Sequence, residues 1–155
     1  MSSPNETVPV KQTGWVLENG KWYHYKSDGT KTTGWLLDKN KWYYLNNSGE
    51  MLTGWQLIGG KWYYLQANGA MVTGWQKDKN KWYYLTSSGA MATGWIKDRN
   101  KWYYLSTSGA MVTGWLKDKD KWYYLSTSGE MVVNRQNING RWHLFHSSRY
   151  WLGYI

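Results

Sequence analysis

Tryptophan and tyrosine are the side chains of this sequence best suited to binding chemistry. The chain contains 14 Trp and 14 Tyr in 155 residues. A second Trp follows seven residues after the Trp of each Thr-Gly-Trp triplet. Aromatic faces attract cations through the ring quadrupole, and bases and sugar rings stack on them. Trp at two fixed positions therefore predicts a binding surface in addition to a core.

The polar residues form none of the patterns that catalysis requires. A catalytic acid and base need two different environments, whereas the recurring acids occupy the same place in every repeat, so we interpret them as turn residues: Asp38, Asp78, Asp98 and Asp118. The serines lie in Ser-Gly turns and not in a nucleophile elbow. His143 and His146 have no further ligand-rich segment near them, and there is no Cys. We expect no enzyme activity, no cofactor and no metal.

A period of 20 residues organises the chain and must position the aromatic residues. The Thr-Gly-Trp triplet begins at Thr13, Thr33, Thr53, Thr73, Thr93 and Thr113. A fixed period of this length is typical of solenoid-like arrays. The predicted boundaries are a linker over 1–12, six repeats over 13–133, and a degenerate repeat or cap over 134–155.

Each repeat is predicted to be a β-hairpin. In one repeat, Trp75–Lys77 and the aromatic Lys81–Leu85 read as strands. Asn80 tolerates the left-handed conformation, so we expect a type I turn with a left-handed bulge residue, which sets Trp75 opposite Tyr83. A lone hairpin is marginal in water. The hairpins must therefore stack, which predicts an all-β solenoid.

Composition supports a folded protein that stays out of the membrane. Only 25 residues are Leu, Ile, Val or Phe, and the net charge is +9, which is typical of disorder. The many aromatic rings can supply the missing core. No apolar run is long enough for a transmembrane helix, and the first six residues lack the features of a signal peptide. The positive charge favours polyanionic partners.

The repeat unit Thr-Gly-Trp…Lys-Trp-Tyr-Tyr-Leu…Ser-Gly-Ala-Met-Val resembles the choline-binding (cell-wall-binding) repeat of pneumococcal surface proteins and related phage lysins. The resemblance implies a left-handed superhelix of β-hairpins. It implies an extracellular, cell-wall-associated module that attaches without catalysis to choline on teichoic and lipoteichoic acids. It further implies that the ligand lies between successive hairpins, among two Trp of one hairpin, a Tyr of the next and a Met.

Carried onto this sequence, the resemblance predicts four choline sites. They are Trp35, Trp42 and Met51 with Tyr63; Trp55, Trp62 and Met71 with Tyr83; Trp75, Trp82 and Met91 with Tyr103; and Trp95, Trp102 and Met111 with Tyr123. The choice of the first Tyr of each pair depends on the hairpin register, since a slip of one residue exchanges it for the second.

Both end interfaces are expected to be poorer sites. Their candidate residues are Trp15, Trp22 and Tyr43 at the first interface, and Trp115, Trp122 and Met131 at the last. At the first, Lys31 takes the methionine position and would repel a cation unless its side chain turns away. At the last, His143 and Leu144 replace both tyrosines.

Several alternatives stay open at this point. A glucan- or oligosaccharide-binding repeat is the main one, and single-stranded nucleic acid is another, although we expect neither nucleic acid nor membrane insertion. Lysines near the hairpin turns either contact polymer phosphates or form a solvated face: Lys39, Lys41, Lys79, Lys81, Lys119 and Lys121. An end-to-end homodimer through the last unit would use Trp142, Phe145, Tyr150 and Trp151.

Overall fold

The computed structural model describes residues 12–155, so the predicted linker lies almost entirely outside the described residues. Every element in this range is a β-strand, and no helix there is long and apolar enough to cross a membrane. The strands are β1 Gly14–Glu18, β2 Lys21–Tyr25, β3 Gly34–Asp38, β4 Lys41–Leu45, β5 Gly54–Ile58, β6 Lys61–Leu65, β7 Gly74–Asp78, β8 Lys81–Leu85, β9 Gly94–Asp98, β10 Lys101–Leu105, β11 Gly114–Asp118, β12 Lys121–Leu125, β13 Arg135–Ile138, β14 Arg141–Phe145 and β15 Trp151–Tyr154.

From β1 to β12, each consecutive pair of strands forms a two-stranded antiparallel hairpin. In the β7–β8 hairpin, Asp78 lies opposite Lys81, so only Lys79 and Asn80 form the loop. Their φ angles are 47° and 65°, which is the left-handed pair of a type I′ turn. The predicted bulged type I turn is therefore wrong, because the aspartate is the last residue of the strand and not the first of the turn.

The tight turn also corrects the predicted register. Trp75 lies opposite Tyr84, not Tyr83, and Lys77 lies opposite Trp82. Because side chains alternate along a strand, Trp75, Trp82 and Tyr84 share one face of the hairpin. Tyr83 lies on the opposite face of the hairpin.

A second turn returns the chain from each hairpin to the next. After Leu85, the amide of Thr86 donates to the carbonyl of Ala90 at 2.8 Å, and the amide of Gly89 donates to the carbonyl of Thr86 at 2.8 Å. Gly89 has a φ of 88°, which favours glycine. Met91 then pairs with Leu85 in a single bridge. The segment that contains the methionine thus runs beside the second strand of the hairpin and pairs with its last residue.

The described residues divide into two compact units, one that ends at Val72 and one that runs from Thr73 to Ile155. Within the first unit, the Met51 amide donates to the Trp22 carbonyl at 2.8 Å. Within the second, the Met111 amide donates to the Trp82 carbonyl at 2.7 Å. Each bond joins the methionine segment of one hairpin to the preceding hairpin. These bonds stack the hairpins inside each unit, and the predicted all-β class of repeated hairpins is confirmed.

The most deeply buried side chains belong to leucine and not to tryptophan. The last strand residue of five hairpins is 0–1% exposed, namely Leu45, Leu65, Leu85, Leu105 and Leu125. Each pairs on both sides, as Leu85 does with Gly74 and with Met91. By contrast, the second Trp of each hairpin is 38–42% exposed, namely Trp22, Trp42, Trp62, Trp82, Trp102 and Trp122.

The chain ends in a three-stranded sheet with the order β13–β14–β15. Phe145 takes the leucine position and is 1% exposed. It is therefore wrong as a predicted contact of an end-to-end dimer, because Trp115 and the neighbouring strand β15 already pack on it. Trp142 remains exposed, and Tyr150 and Trp151 are partly exposed.

Candidate functional site

Three cavities between stacked hairpins share one arrangement of side chains. Cavity A has a volume of about 340 Å³ and is lined by Trp15, Trp22, Tyr43, Met51 and Asn68. Cavity B has a volume of about 260 Å³ and is lined by Trp75, Trp82, Tyr103, Met111 and Ser128. Cavity C has a volume of about 420 Å³ and is lined by Trp95, Trp102, Tyr123, Met131, Ser148 and Arg149.

In cavity B, two hairpins fix the ring of Trp75. Its own hairpin places Tyr84 edge-on at 5.0 Å between ring centroids. The next hairpin places Tyr103 edge-on at 4.9 Å. The second Tyr of each pair therefore supports the Trp from behind, and the first Tyr of the following hairpin lines the cavity. The structure brings Trp75, Trp82 and Tyr103 together, although the register from which this Tyr was chosen was wrong.

An aspartate of the following hairpin holds the indole nitrogen of the first Trp. The Nε1–H of Trp75 donates to Asp98 at 3.1 Å. The same bond joins Trp95 to Asp118 at 3.0 Å and Trp15 to Asp38 at 3.1 Å. Such charge-assisted bonds are stronger than neutral ones. Sequence reasoning missed this role; the constant offset of 23 residues between donor and acceptor was the available signal.

The methionine of each cavity comes from the following hairpin, so the predicted groupings are wrong in this residue. Met111, not Met91, lines cavity B, and Met131, not Met111, lines cavity C. The cause is the backbone bond from the Met111 amide to the Trp82 carbonyl, which ties that methionine to the preceding hairpin. The side chain of Met91 lies against Gly109, as the side chain of Met111 lies against Gly129.

The first interface is complete, contrary to the expectation for Lys31. Cavity A contains Met51 in the methionine position. The ammonium of Lys31 lies 4.3 Å from the ring centroid of Tyr23, on its own hairpin. The predicted repulsion by Lys31 at this site is therefore wrong. The residue at the methionine position does not line the cavity formed by the tryptophans of its own hairpin, and Lys31 follows the same rule.

Of the two other predicted sites, the structure places one in part. Trp35 lies 4.9 Å from Tyr63, and the Met71 amide donates to the Trp42 carbonyl at 2.8 Å. Ile58 lies 23 residues after Trp35, where the first Trp of cavities A, B and C has the aspartate that accepts its indole N–H. The grouping of Trp55, Trp62 and Tyr83 draws on both compact units and stays a prediction.

At the last interface, rings of the terminal sheet pack against Trp115. Its centroid lies 5.3 Å from His143, 5.8 Å from Phe145 and 5.9 Å from Trp151. Trp122 lies edge-on at 6.3 Å from Trp115. His143, which replaces the cavity tyrosine, is buried, and its Nδ1 has no hydrogen-bond partner. Across residues 12–155, no three histidine, aspartate or glutamate side chains group as a metal site.

A polar residue from a third hairpin completes each cavity. Asn68, Ser128 and Ser148 occupy the same position of their turns and line cavities A, B and C. One cavity thus uses three consecutive repeats. The sequence prediction considered two hairpins only and missed these residues.

Burial raises the pKa of two cavity tyrosines. It raises the pKa of Tyr103, and the negative charges of Glu130 and Asp98 raise it further. Burial likewise raises the pKa of Tyr123, with a contribution from Asp118. Near pH 7 these rings are uncharged phenols, which present apolar faces to a ligand.

The chain belongs to the choline-binding repeat family. The family model for the choline-binding repeat matches residues 12–53, 52–94 and 92–135. These matches cover most of the chain and include the tryptophans of all three cavities. A search of curated proteins found no match.

Solved structures of similar sequence share this fold. CbpJ from Streptococcus pneumoniae TIGR4 has a TM-score of 0.88 and 42% identity, over 91% of this chain and 52% of CbpJ. Choline binding protein F from Streptococcus pneumoniae has a TM-score of 0.86 and 44% identity, over 91% and 52%. The pneumococcal cell wall endolysin from phage Cp-1, complexed with choline, has a TM-score of 0.55 and 36% identity, over 86% and 40%. The chain thus spans about half the length of the first two.

Proposed function

We propose that this chain is a non-catalytic module that binds choline in cavities A, B and C and so holds its parent protein to the cell wall. One observation carries the proposal: the second Trp of every regular hairpin is 38–42% exposed. Exposed large aromatic side chains in a repeated position mark a binding surface. In cavity B, that Trp faces a second Trp, a Tyr and a Met.

The cavities suit a quaternary ammonium group. Its diffuse charge interacts with the faces of Trp and Tyr, each contact contributing about 0.5–2 kcal/mol. The thioether of Met111 is polarisable and adapts to the methyl groups. For three rings and one methionine we expect a Kd of about 1 mM, which corresponds to about −4 kcal/mol. One cavity alone therefore binds weakly.

A phosphate-bearing polymer explains the charge of the protein. The net charge is +9, which is unfavourable for a free cation but favourable for choline carried on an anionic chain. Teichoic and lipoteichoic acids of the cell wall have this chemistry. The turn lysines, among them Lys39 and Lys79, are exposed and are proposed to contact the phosphates.

The proposed location is extracellular. We also propose a homodimer through the exposed Trp142.

A glucan or oligosaccharide is the second candidate ligand. Asn68, Ser128 and Ser148 supply polar groups at the cavities. Sugar hydroxyls need such partners, whereas a trimethylammonium group does not. Each cavity has only one or two of these groups, which favours choline.

The test is a titration of choline chloride, followed by tryptophan fluorescence and by Tm. Trp82→Ala is compared with Trp142→Ala, since Trp142 has the same strand position, is 51% exposed and lines none of the three cavities. We expect choline to raise Tm in all three proteins. Trp82→Ala removes one equivalent of bound choline, and Trp142→Ala removes none.

A maltooligosaccharide titration and a sodium chloride control accompany the choline titration. No response to choline at tens of millimolar, with a response to the oligosaccharide, would replace the proposal by the second candidate. Unchanged stoichiometry in Trp82→Ala would show that cavity B is not a choline site.

A further inference from the structure

Cavity C differs from cavities A and B by a guanidinium group. Arg149 lines cavity C, whereas no basic residue lines cavity A or cavity B. The regular repeats have a glycine at this position, as Gly129 shows in the repeat before. The last turn therefore adds a positive charge to a cavity that is otherwise built like the other two.

Arg149 and Lys121 both lie close to one aromatic ring, that of Tyr150, next to the cavity. The Lys121 ammonium lies 4.7 Å from the ring centroid of Tyr150, and the Arg149 guanidinium lies 5.9 Å from it. Tyr150 in turn lies edge-on to Tyr123, at 6.4 Å. Tyr150 thus places both cations near the tyrosine wall of cavity C.

Arg149 forms no salt bridge with a carboxylate of residues 12–155. The salt bridge found in this range joins Lys21 to Glu50 and does not involve Arg149. An unpaired guanidinium beside a site for a cation disfavours that cation by charge repulsion. The arrangement becomes favourable when the ligand carries an anion next to its cation. Arginine binds phosphate through two parallel hydrogen bonds.

We propose that cavity C recognises a choline phosphoester, with the trimethylammonium group among Trp95, Trp102 and Tyr123 and the phosphate on Arg149. Cavity B, which lacks a basic lining residue, takes the choline group alone. This inference rests on the proposed function, because it assumes that the rings bind choline. It adds that one site of the module reads the phosphate as well.

The experiment compares choline with phosphocholine at each cavity separately. The indole N–H signals of Trp102 in cavity C and Trp82 in cavity B are assigned in ¹⁵N NMR spectra and followed during both titrations. We expect phosphocholine to bind cavity C about threefold more tightly than choline, a ratio typical of an exposed ion pair. Cavity B is expected to show a ratio near one. The preference at cavity C decreases with added salt.

Variants of Arg149 separate its charge from its shape. Arg149→Gln is expected to lower the ratio at cavity C to that of cavity B, and Arg149→Lys to keep part of it. The matched control is Arg135→Gln, which removes the same charge from an exposed strand residue of the same terminal sheet and leaves the ratio unchanged. An unchanged ratio in Arg149→Gln, or tighter binding of choline than of phosphocholine to wild-type cavity C, overturns the inference.

The two proposals fail in different ways. If choline shifts neither Trp82 nor Trp102, the proposed function is wrong. If choline shifts both but cavity C shows no preference for phosphocholine, only this inference is wrong.

Two further arms identify the source of the phosphoester. Glycerophosphocholine represents a soluble or polymer-borne diester, and vesicles of phosphatidylcholine represent a lipid headgroup. A shift of Trp102 with the first alone indicates the polymer-type ligand, and a shift with vesicles indicates the lipid. A response to neither diester overturns recognition of the phosphate.

Discussion

The indole of Trp75 shows how single residues build the binding surface. Tyr84 supports one side of the ring, Tyr103 closes the cavity, and Asp98 accepts the indole N–H at 3.1 Å. Only Tyr84 comes from the same hairpin. The orientation of a cavity tryptophan is therefore a property of two hairpins and not of one. The aspartate acts as a positioning residue, since it lies outside the lining of cavity B.

Loss of this aspartate is expected to weaken choline binding. Asp98→Leu removes the acceptor of a charge-assisted bond, and we expect about tenfold weaker binding at cavity B. Asp98→Asn keeps an acceptor and has a smaller effect. Isothermal titration with choline measures both, and Asp120→Asn in the β11–β12 turn is the control. Wild-type affinity in Asp98→Leu would contradict the role of the aspartate.

The cavity tyrosines make stability sensitive to alkali. Burial raises the pKa of Tyr103 in the folded protein, so its neutral phenol is favoured there. This contribution to the free energy of unfolding is complete below about pH 10. It is lost as pH rises through the folded pKa, because the unfolded chain loses its proton first. Urea unfolding at increasing pH is expected to show a shallower loss for Tyr103→Phe than for wild type; parallel curves would contradict this.

At the scale of one element, the recurring glycines of the repeat have two separate roles. Gly129 has a φ of 88°, and a Cβ at this position would collide with the side chain of Met111. Gly114 has a φ of 81°, and a Cβ there would meet nothing within 4 Å. The first glycine therefore leaves room for the methionine of cavity B, and the second serves only the backbone.

This difference gives a matched pair of substitutions. Both Gly129→Ala and Gly114→Ala are expected to lower the free energy of unfolding by about 1–2 kcal/mol, because both force alanine into the left-handed region. Only Gly129→Ala is expected to weaken choline binding at cavity B, since it displaces Met111. Urea unfolding and choline titration measure the two effects. Equal affinity in both variants would show that the methionine position does not matter.

At the scale of the whole molecule, repetition converts weak sites into strong attachment. Cavities A, B and C have the same aromatic makeup, and a polymer carries many copies of the ligand. After the first site binds, the others meet ligand at high effective concentration, and avidity rises by about 10²–10⁴. Attachment should therefore depend much more steeply on the number of intact cavities than free choline binding does.

A column with immobilised choline tests this dependence. Trp82→Ala and the double variant Trp82→Ala/Trp102→Ala are expected to elute at successively lower concentrations of free choline than wild type. Trp142→Ala is expected to elute with wild type. If all four proteins elute together, attachment does not arise from several cavities acting at once.

The sequence by itself determined the period, the hairpins, the family and the residue types of the site. These follow from local patterns: the Trp and Tyr positions recur every 20 residues, and alternation within a strand needs no distant contact. The turn was mispredicted because Asp78 was assigned to the loop and not to the strand. The loop of this hairpin has only two residues, both with positive φ angles. This loop sets the register of the two strands, which places Trp75 and Tyr83 on opposite faces of the hairpin.

Only the tertiary structure decided which repeats combine into one cavity. Backbone bonds such as the one from the Met111 amide to the Trp82 carbonyl tie the methionine of a cavity to the preceding hairpin. The same stacking brings Asp98 to Trp75 and Ser128 into cavity B. Every regular repeat contains the same residue types at the same positions. The sequence pattern therefore looks the same whichever neighbouring repeat supplies a given side chain to the cavity. The choice depends on how the hairpins stack, which is a property of packing between units.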